Sequence, residues 1–347
     1  MLVHIAKAEG SVSPTVVIDG TEFTGEPEDV LFFLRNIHKN HIENQDLQIT
    51  KYAIIRPSNH PMYDLNYMFF QQIPGEPCTF DYKGSCGHSI LASIKVAMHW
   101  GWIPKATPGL RVRVYIENVN DSLVCEVDQA SRDDIECTAH FISNPPLKLG
   151  ATLPTGQVSD MLKTSFGEVE VSIIAAGNPY VFVESSVLNI NNEFDLFQAE
   201  EELFFKLQEI RKEAINLLGW NQDSIFPKIA LLDCFDQESI SIRAISVPSW
   251  HPTLALTGAA CLGVAASIKG TIVSKITKKL DDYNCLKIRT KNGNTGVNSA
   301  TTGEGLEDYL LYSSISDKKV QLICPINIGT EEEVLWKHSQ EQKMILA

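Results

Sequence analysis

The chain has no apolar run of the roughly 18–20 residues that a membrane-spanning helix requires. It also lacks any run of five or more basic residues: 29 Lys and Arg stand against 43 Asp and Glu, for a net charge of −14. Holding a phosphate backbone takes clustered cations, so neither a nucleic-acid nor a membrane partner is expected. No basic-then-apolar leader opens Met1–Ser11. The eight cysteines include no Cys-x-x-Cys pair, which argues against a structural zinc site. They are scattered, mostly through apolar strand-like runs, as suits reduced, buried thiols of a cytoplasmic protein rather than a disulfide framework. Missing too are a phosphate-binding lysine loop, a Gly-x-Gly-x-x-Gly after a strand and a Gly-x-Ser-x-Gly elbow. His38 and His41 have no third ligand at metal spacing, so no metal is expected. An acidic average still leaves room for a small anionic substrate, because one pocket can carry the opposite sign.

What is present is 347 residues, 44% of them hydrophobic, enough for two domains. Short β-branched runs bounded by Gly, Pro, Asn or Asp predict strands at Val112–Val119, Leu123–Val127, Val169–Ile174, Tyr180–Val183, Ile229–Leu232, Ile240–Val247, Ile272–Ile276 and Val320–Ile323. Helices are predicted at Glu28–Lys39, behind Pro27, and over the amphipathic Asp195–Leu218. Two further helices, Ser89–Trp102 and Ala259–Ile268, are apolar on nearly every side and must be buried. Buried helices among strands predict an α+β fold in which a strand layer wraps a central helix.

Those two helices open alike, after Gly84-Ser85-Cys86-Gly87-His88-Ser89 and after Leu256-Thr257-Gly258-Ala259-Ala260-Cys261. Gly87 and Gly258 lie half a chain apart. Upstream, Glu9-Gly10-Ser11 and Ala176-Gly177-Asn178-Pro179 each lead into a strand. The chain therefore reads as two pseudo-repeated halves, with the Pro-bearing stretch Asn144–Pro154 as their boundary. The expected domains are 1–147 with about 321–347, and 148–320. Lys291–Gly305, rich in Gly, Asn and Thr, reads as a mobile surface loop.

A glycine at a helix start exposes backbone N–H groups with the positive end of the helix dipole behind them. Such an end binds carboxylates or stabilises an enolate; taken singly, it more often serves only close packing. Cys86 occupies the first helix start, where a thiol can act in acid–base chemistry. The matching position holds Thr257, which argues against a symmetric two-thiol racemase. Lys51, at the mouth of the apolar strand Lys51–Ile55, is either an exposed strand-end lysine or a desolvated base. His251 precedes the second helix start and reads equally as a packed histidine.

Taken together, these residues resemble the family of 2-methylaconitate and methylitaconate isomerases, with the 4-oxalomesaconate isomerases, of the diaminopimelate-epimerase-like fold. The resemblance runs from about Thr50 to Thr271. It rests on Lys51–Ile55 with Asp64–Phe69, on Phe80–His88, on Leu153–Gln157, on Ala176–Val183, and on His251 through Thr257-Gly258-Ala259 to Gly270-Thr271. It implies two barrel-like domains with the active site in the cleft between them, and a cofactor-independent 1,3-proton shift on a small unsaturated carboxylate. By resemblance Lys51 is the catalytic base and Cys86 or His88 its partner. Ser11, Ser85, Gly87, Ser89, Gly177, Asn178, Thr257, Gly258, Ala259 and His251 would bind the substrate. A homodimer is left open. The alternatives are a racemase or epimerase using the same cleft, and a non-catalytic binding protein of this fold.

The chain also departs from that family. The family's Arg-Gly-Gly-Thr-Ser-Lys-Gly run is here Glu9–Pro14, without its Arg and Lys. Its Gly-Asn-Cys-Gly-Asn is Gly84–His88, and its late His-Pro-Ser-Gly is replaced near Thr290–Gly293. The base and the helix starts are kept while the recognition groups change. A different, less anionic unsaturated acid is expected, with His88 as a new acid or hydrogen-bond donor.

Overall fold

The structure is a computed structural model. It describes all residues except 24–26, 43–47, 74, 77, 132, 223, 247–248, 281–284 and 327–347. The chain divides into two compact units, Met1–Cys137 with Lys319–Ala347, and Thr138–Lys318. The change of unit thus falls before the Pro-bearing stretch. That stretch begins inside a strand, β8 (Asp134–Lys148), rather than as a linker. Most of the expected C-terminal contribution, from residue 327 onward, lies outside the described residues.

Unit 1 contains β1 (Val3–Ala8), β2 (Thr15–Asp19), α1 (Pro27–Ile37), β3 (Lys51–Pro57), β4 (Leu65–Gln72), β5 (Phe80–Asp81), α2 (Gly87–His99), β6 (Arg111–Ile116) and β7 (Asp121–Ala130). β1 runs antiparallel to β2, and β2 parallel to β3. β3 is antiparallel to β4, β4 parallel to β6, and β6 antiparallel to β7. Each parallel step needs a long crossover, and α1 and α2 supply them. One face of the sheet packs on α1 through Val16, Ile18, Tyr52 and Phe70 against Phe33, Leu34 and Ile37. The other takes α2, in which Ile90, Leu91, Ile94 and Val96 are wholly buried and which packs on β1, β2 and β3. Each such side chain contributes on the order of 1.5–3 kcal/mol of burial free energy, which explains a helix with no polar stripe.

Unit 2 repeats this plan. Its elements are β9 (Asp160–Thr164), β10 (Gly167–Ile174), β11 (Tyr180–Glu184), α3 (Glu193–Gln198), α4 (Glu201–Leu218), β12 (Lys228–Asp233), β13 (Ile240–Ser246), β14 (Ser249–Trp250), α5 (Leu256–Ser267), α6 (Ile272–Thr277), β15 (Leu286–Thr290), β16 (Gly293–Thr301) and the first part of β17 (Tyr309–Pro325). The pairing β10, β11, β12, β13, β15, β16 alternates antiparallel and parallel in the order seen in unit 1. The turns at Gly10 and Gly177 both take positive φ, 79° and 100°, a conformation glycine adopts without strain. The pseudo-repeat is therefore a repeat of structure. α5 is buried as α2 is, and Leu203, Leu207, Ile210 and Ala214 of α4 close the opposite face.

Several expectations are corrected. Ile272–Ile276 is helical, not a strand: Thr271 Oγ1 accepts from Ser274 N at 3.0 Å, and this N-cap outweighs the β-branched run. Lys291–Gly305 is mainly β16, paired between β15 and β17, because ladder partners override loop-like composition. The helix expected over Asp195–Leu218 is broken at Ala199–Glu200 into α3, capped by Asn192, and α4. Val112–Val119 stops as a strand at Ile116 and ends in a 3-10 turn. None of the eight cysteines forms a disulfide, but only Cys125, Cys137 and Cys261 are buried, and Cys285 is exposed.

Candidate functional site

In unit 1, Lys51 opens β3 opposite Thr15 of β2. Only 8% of it is exposed. Its ammonium donates to Ser11 Oγ at 2.8 Å, and among the described residues it has no other hydrogen bond and no carboxylate within ion-pair distance. Ser11 in turn donates to the Ser13 carbonyl at 2.7 Å. Ser13 Oγ accepts from Thr50 N at 3.2 Å and so ties the turn to the residue before Lys51. Ser11, expected to bind substrate, here holds the lysine.

Cys86 is the N-cap residue of α2, with extended backbone and no side-chain cap on the helix. Gly87, His88 and Ser89 form the first turn and are buried; Ser85, just outside it, is half-buried. The phenol of Tyr67, wholly buried, donates toward the Cys86 carbonyl at 3.5 Å. Burial, reinforced by the Cys86 thiol, holds that phenol well above its usual pKa and so protonated. Among the described residues neither Cys86 nor His88 is hydrogen-bonded to Lys51.

In unit 2, α5 starts after Ala255, again without a side-chain cap. Asn178 Nδ2 donates to Thr257 Oγ1 at 3.3 Å, joining the Gly177 turn to the helix start. Cys261, one turn into α5, reaches the carbonyls of Asn178, Ala176 and Ile174 at 3.2, 3.5 and 3.7 Å. Burial pushes this thiol up to about 12, so it remains a donor and anchors the strand end that carries Gly177. A Cβ on Gly258 would fall 2.6 Å from Tyr180 Cζ, so glycine is needed there for close approach. Ala259 is buried behind it. α3 and α6 are capped by Asn192 and Thr271; α2 and α5 leave their first-turn amides without a side-chain cap, as α4 also does.

His251 stands apart from these groups. Its Nδ1 accepts from Thr253 N at 3.1 Å. It lines a cavity of about 660 Å³ that none of the other expected site residues line. Sequence reasoning passed over Ser13, Tyr67 and Tyr180, whose roles depend on contacts across strands. It also missed Lys228, which opens β12 opposite Tyr180 as Lys51 opens β3 opposite Thr15; strand-by-strand alignment of the halves would have found it. Among the described residues no group of three or more His, Cys, Asp or Glu could hold a metal ion, and no helix is long and apolar enough to cross a membrane.

Residues 43–311 match the family model described as PrpF protein. The 3-methylitaconate isomerase of Eubacterium barkeri is 28% identical over 69% of this chain and 73% of its own length. The 4-oxalomesaconate tautomerase of Pseudomonas putida is 25% identical over 67% of this chain and 68% of its own. A crystal structure of methylitaconate-delta-isomerase superposes with a TM-score of 0.71 at 23% identity, covering 94% of this chain and 95% of that one. This last likeness is one of fold, and it places both units in the expected diaminopimelate-epimerase-like architecture. With most of its length matched by the family model and with isomerases as its relatives, the chain belongs to the PrpF protein family of isomerases.

Proposed function

We propose that this protein moves a carbon–carbon double bond in a small unsaturated carboxylate by a 1,3-proton shift carried out by its own side chains. The observation that carries the reading is Lys51: buried, and held by a neutral hydroxyl rather than by a carboxylate. A lysine serving only structure would be paired with an acid or exposed. Lys51 is the general base that takes a proton from the allylic carbon. The C–H electron pair forms the new double bond, and the old π pair moves onto the conjugated carboxylate to give a dienolate. A proton returned to the far carbon re-forms the carboxylate, so atoms and charge balance. Cys86 or His88 is the partner for that return. The uncapped first turn of α2 stabilises the dienolate oxygens, because aligned amides oppose developing negative charge.

The loss of Arg and Lys from the Glu9–Pro14 run removes cationic handles for an anionic substrate, which supports a substrate with fewer carboxylates than methylaconitate. The test is proton exchange in D2O followed by NMR, over mono-, di- and tricarboxylic enoic acids, with wild type and Lys51→Ala. Deuterium entering two allylic positions with wild type alone is expected. Exchange at a single stereogenic carbon would mean an epimerase, and exchange that survives Lys51→Ala would remove the lysine from the chemistry. Turnover of methylaconitate equal to the best monocarboxylate would overturn the inference on substrate charge.

A further inference from the structure

The cavity that His251 lines lies wholly in unit 2, where the first turn of α4 faces β13, β14 and the end of β15. Its volume, about 660 Å³, is that of a small-molecule site. One wall is aromatic. Phe204 and Trp250 meet edge to face at 5.5 Å, and Phe205, 66% exposed, extends the wall outward. Facing it is Arg243, only 7% exposed, with its guanidinium 4.2 Å from the centre of the Trp250 ring. Nη1 donates to the carbonyls of Leu196 and Phe197 at the end of α3. Among the described residues Nε and Nη2 donate to nothing, and no carboxylate lies within ion-pair distance. Burial depresses the Arg243 pKa against the opposing field of Glu200, as expected of a buried cation without a full counter-charge. A guanidinium stacked on an indole, with part of its planar fork unused, matches a carboxylate in charge and shape.

We propose that this cavity is a second ligand site, which takes a small monocarboxylate with a flat apolar body. The carboxylate sits on the open edge of Arg243, and the body lies against Trp250, Phe204 and Phe205. Glu200, Glu201 and Lys291 also line the cavity. None of the residues assigned to proton transfer lines this cavity, so occupancy does not require Lys51 or Cys86.

The test is calorimetric titration of the full chain with 2-naphthoate and with 2-naphthylmethanol, which share a body and differ in charge. A charge-assisted hydrogen bond predicts that naphthoate binds about tenfold or more tightly than the alcohol. Arg243→Met should abolish that preference. Phe205→Glu, at an exposed rim position that leaves the core untouched, should weaken naphthoate by a similar factor and the alcohol far less. Lys51→Ala should bind naphthoate as wild type does, which separates this site from the catalytic reading. Equal affinity for the two probes, no naphthoate binding at millimolar concentration, naphthoate binding unchanged in Phe205→Glu, or loss of binding in Lys51→Ala would each overturn the proposal. Should Arg243→Met fail to fold, the probe pair and Phe205→Glu decide.

Discussion

Gly258→Ala is the substitution whose consequence can be worked most directly from geometry. The added Cβ would stand 2.6 Å from Tyr180 Cζ, 2.7 Å from its Oη and 2.9 Å from Leu254 Cδ1. Carbon atoms in contact sit at about 3.5–4.0 Å, so the ring must retreat by close to an ångström. It has nowhere to go. Tyr180 is wholly buried, its strand β11 is paired on both sides by β10 and β12, and its ring stacks on Phe182 at 5.9 Å. Overpacking of this kind costs about 1–3 kcal/mol. Alanine's better helix propensity returns less than about 1 kcal/mol, and less still in a first turn. The net effect is a loss of stability, which for a unit of this size lowers Tm by about 2–4 °C for each kcal/mol. The α5 first turn shifts with it, so turnover falls as well. Differential scanning calorimetry with a D2O exchange assay reads both. Tyr180→Phe removes Oη but not Cζ, so in that background the penalty should shrink without vanishing. A Gly258→Ala protein with wild-type Tm would refute the claim that Tyr180 and the α5 start are in rigid contact.

Other perturbations follow from single contacts. Ser11→Ala takes away the acceptor of the Lys51 ammonium; a buried donor left unmatched costs about 1–3 kcal/mol, and turnover should drop with a changed pH profile, while Ser11→Thr keeps the hydroxyl and recovers both. Trp100 Nε1 donates to His4 Nδ1 at 2.9 Å, and burial together with the charge of His99 holds His4 below its usual 6.5. Because the unfolded chain then binds more protons, the stability His4 contributes is present above about pH 6.5 and is lost as pH falls through its lower folded value. His4→Gln should therefore flatten the fall in Tm between pH 7.5 and 5, and an unchanged slope would contradict it. Cys261→Ala removes the donor shared by the carbonyls of Ile174, Ala176 and Asn178, so the Gly177 turn should show faster amide exchange than in wild type.

Much of this molecule was legible in the chain itself. Glycine before an all-apolar helix, twice, half a chain apart, announced two central helices and a repeated fold, because burial on every side leaves such a helix no other place. Lys51 at the mouth of an apolar strand and Cys86 at a helix start were legible as residue types in position. What the chain did not show depended on partners distant in sequence. Lys291–Gly305 has a loop's composition and becomes a strand because β15 and β17 supply its ladder. Ile272–Thr277 has a strand's composition and becomes a helix because Thr271 caps it and α5 and β11 cover it. Nothing in the sequence pairs Ser11 with Lys51; the pairing of β2 with β3 brings them together. Arg243, unremarkable in a β-branched run, becomes a buried cation at a cavity only when α3 and β14 close around it. Sequence by itself determined which segments had to be buried and which side chains could do chemistry, since both depend on local composition and spacing. Tertiary structure decided which groups meet, because hydrogen bonds, close approaches and desolvation belong to pairs of residues, and here those pairs come from separate strands and helices.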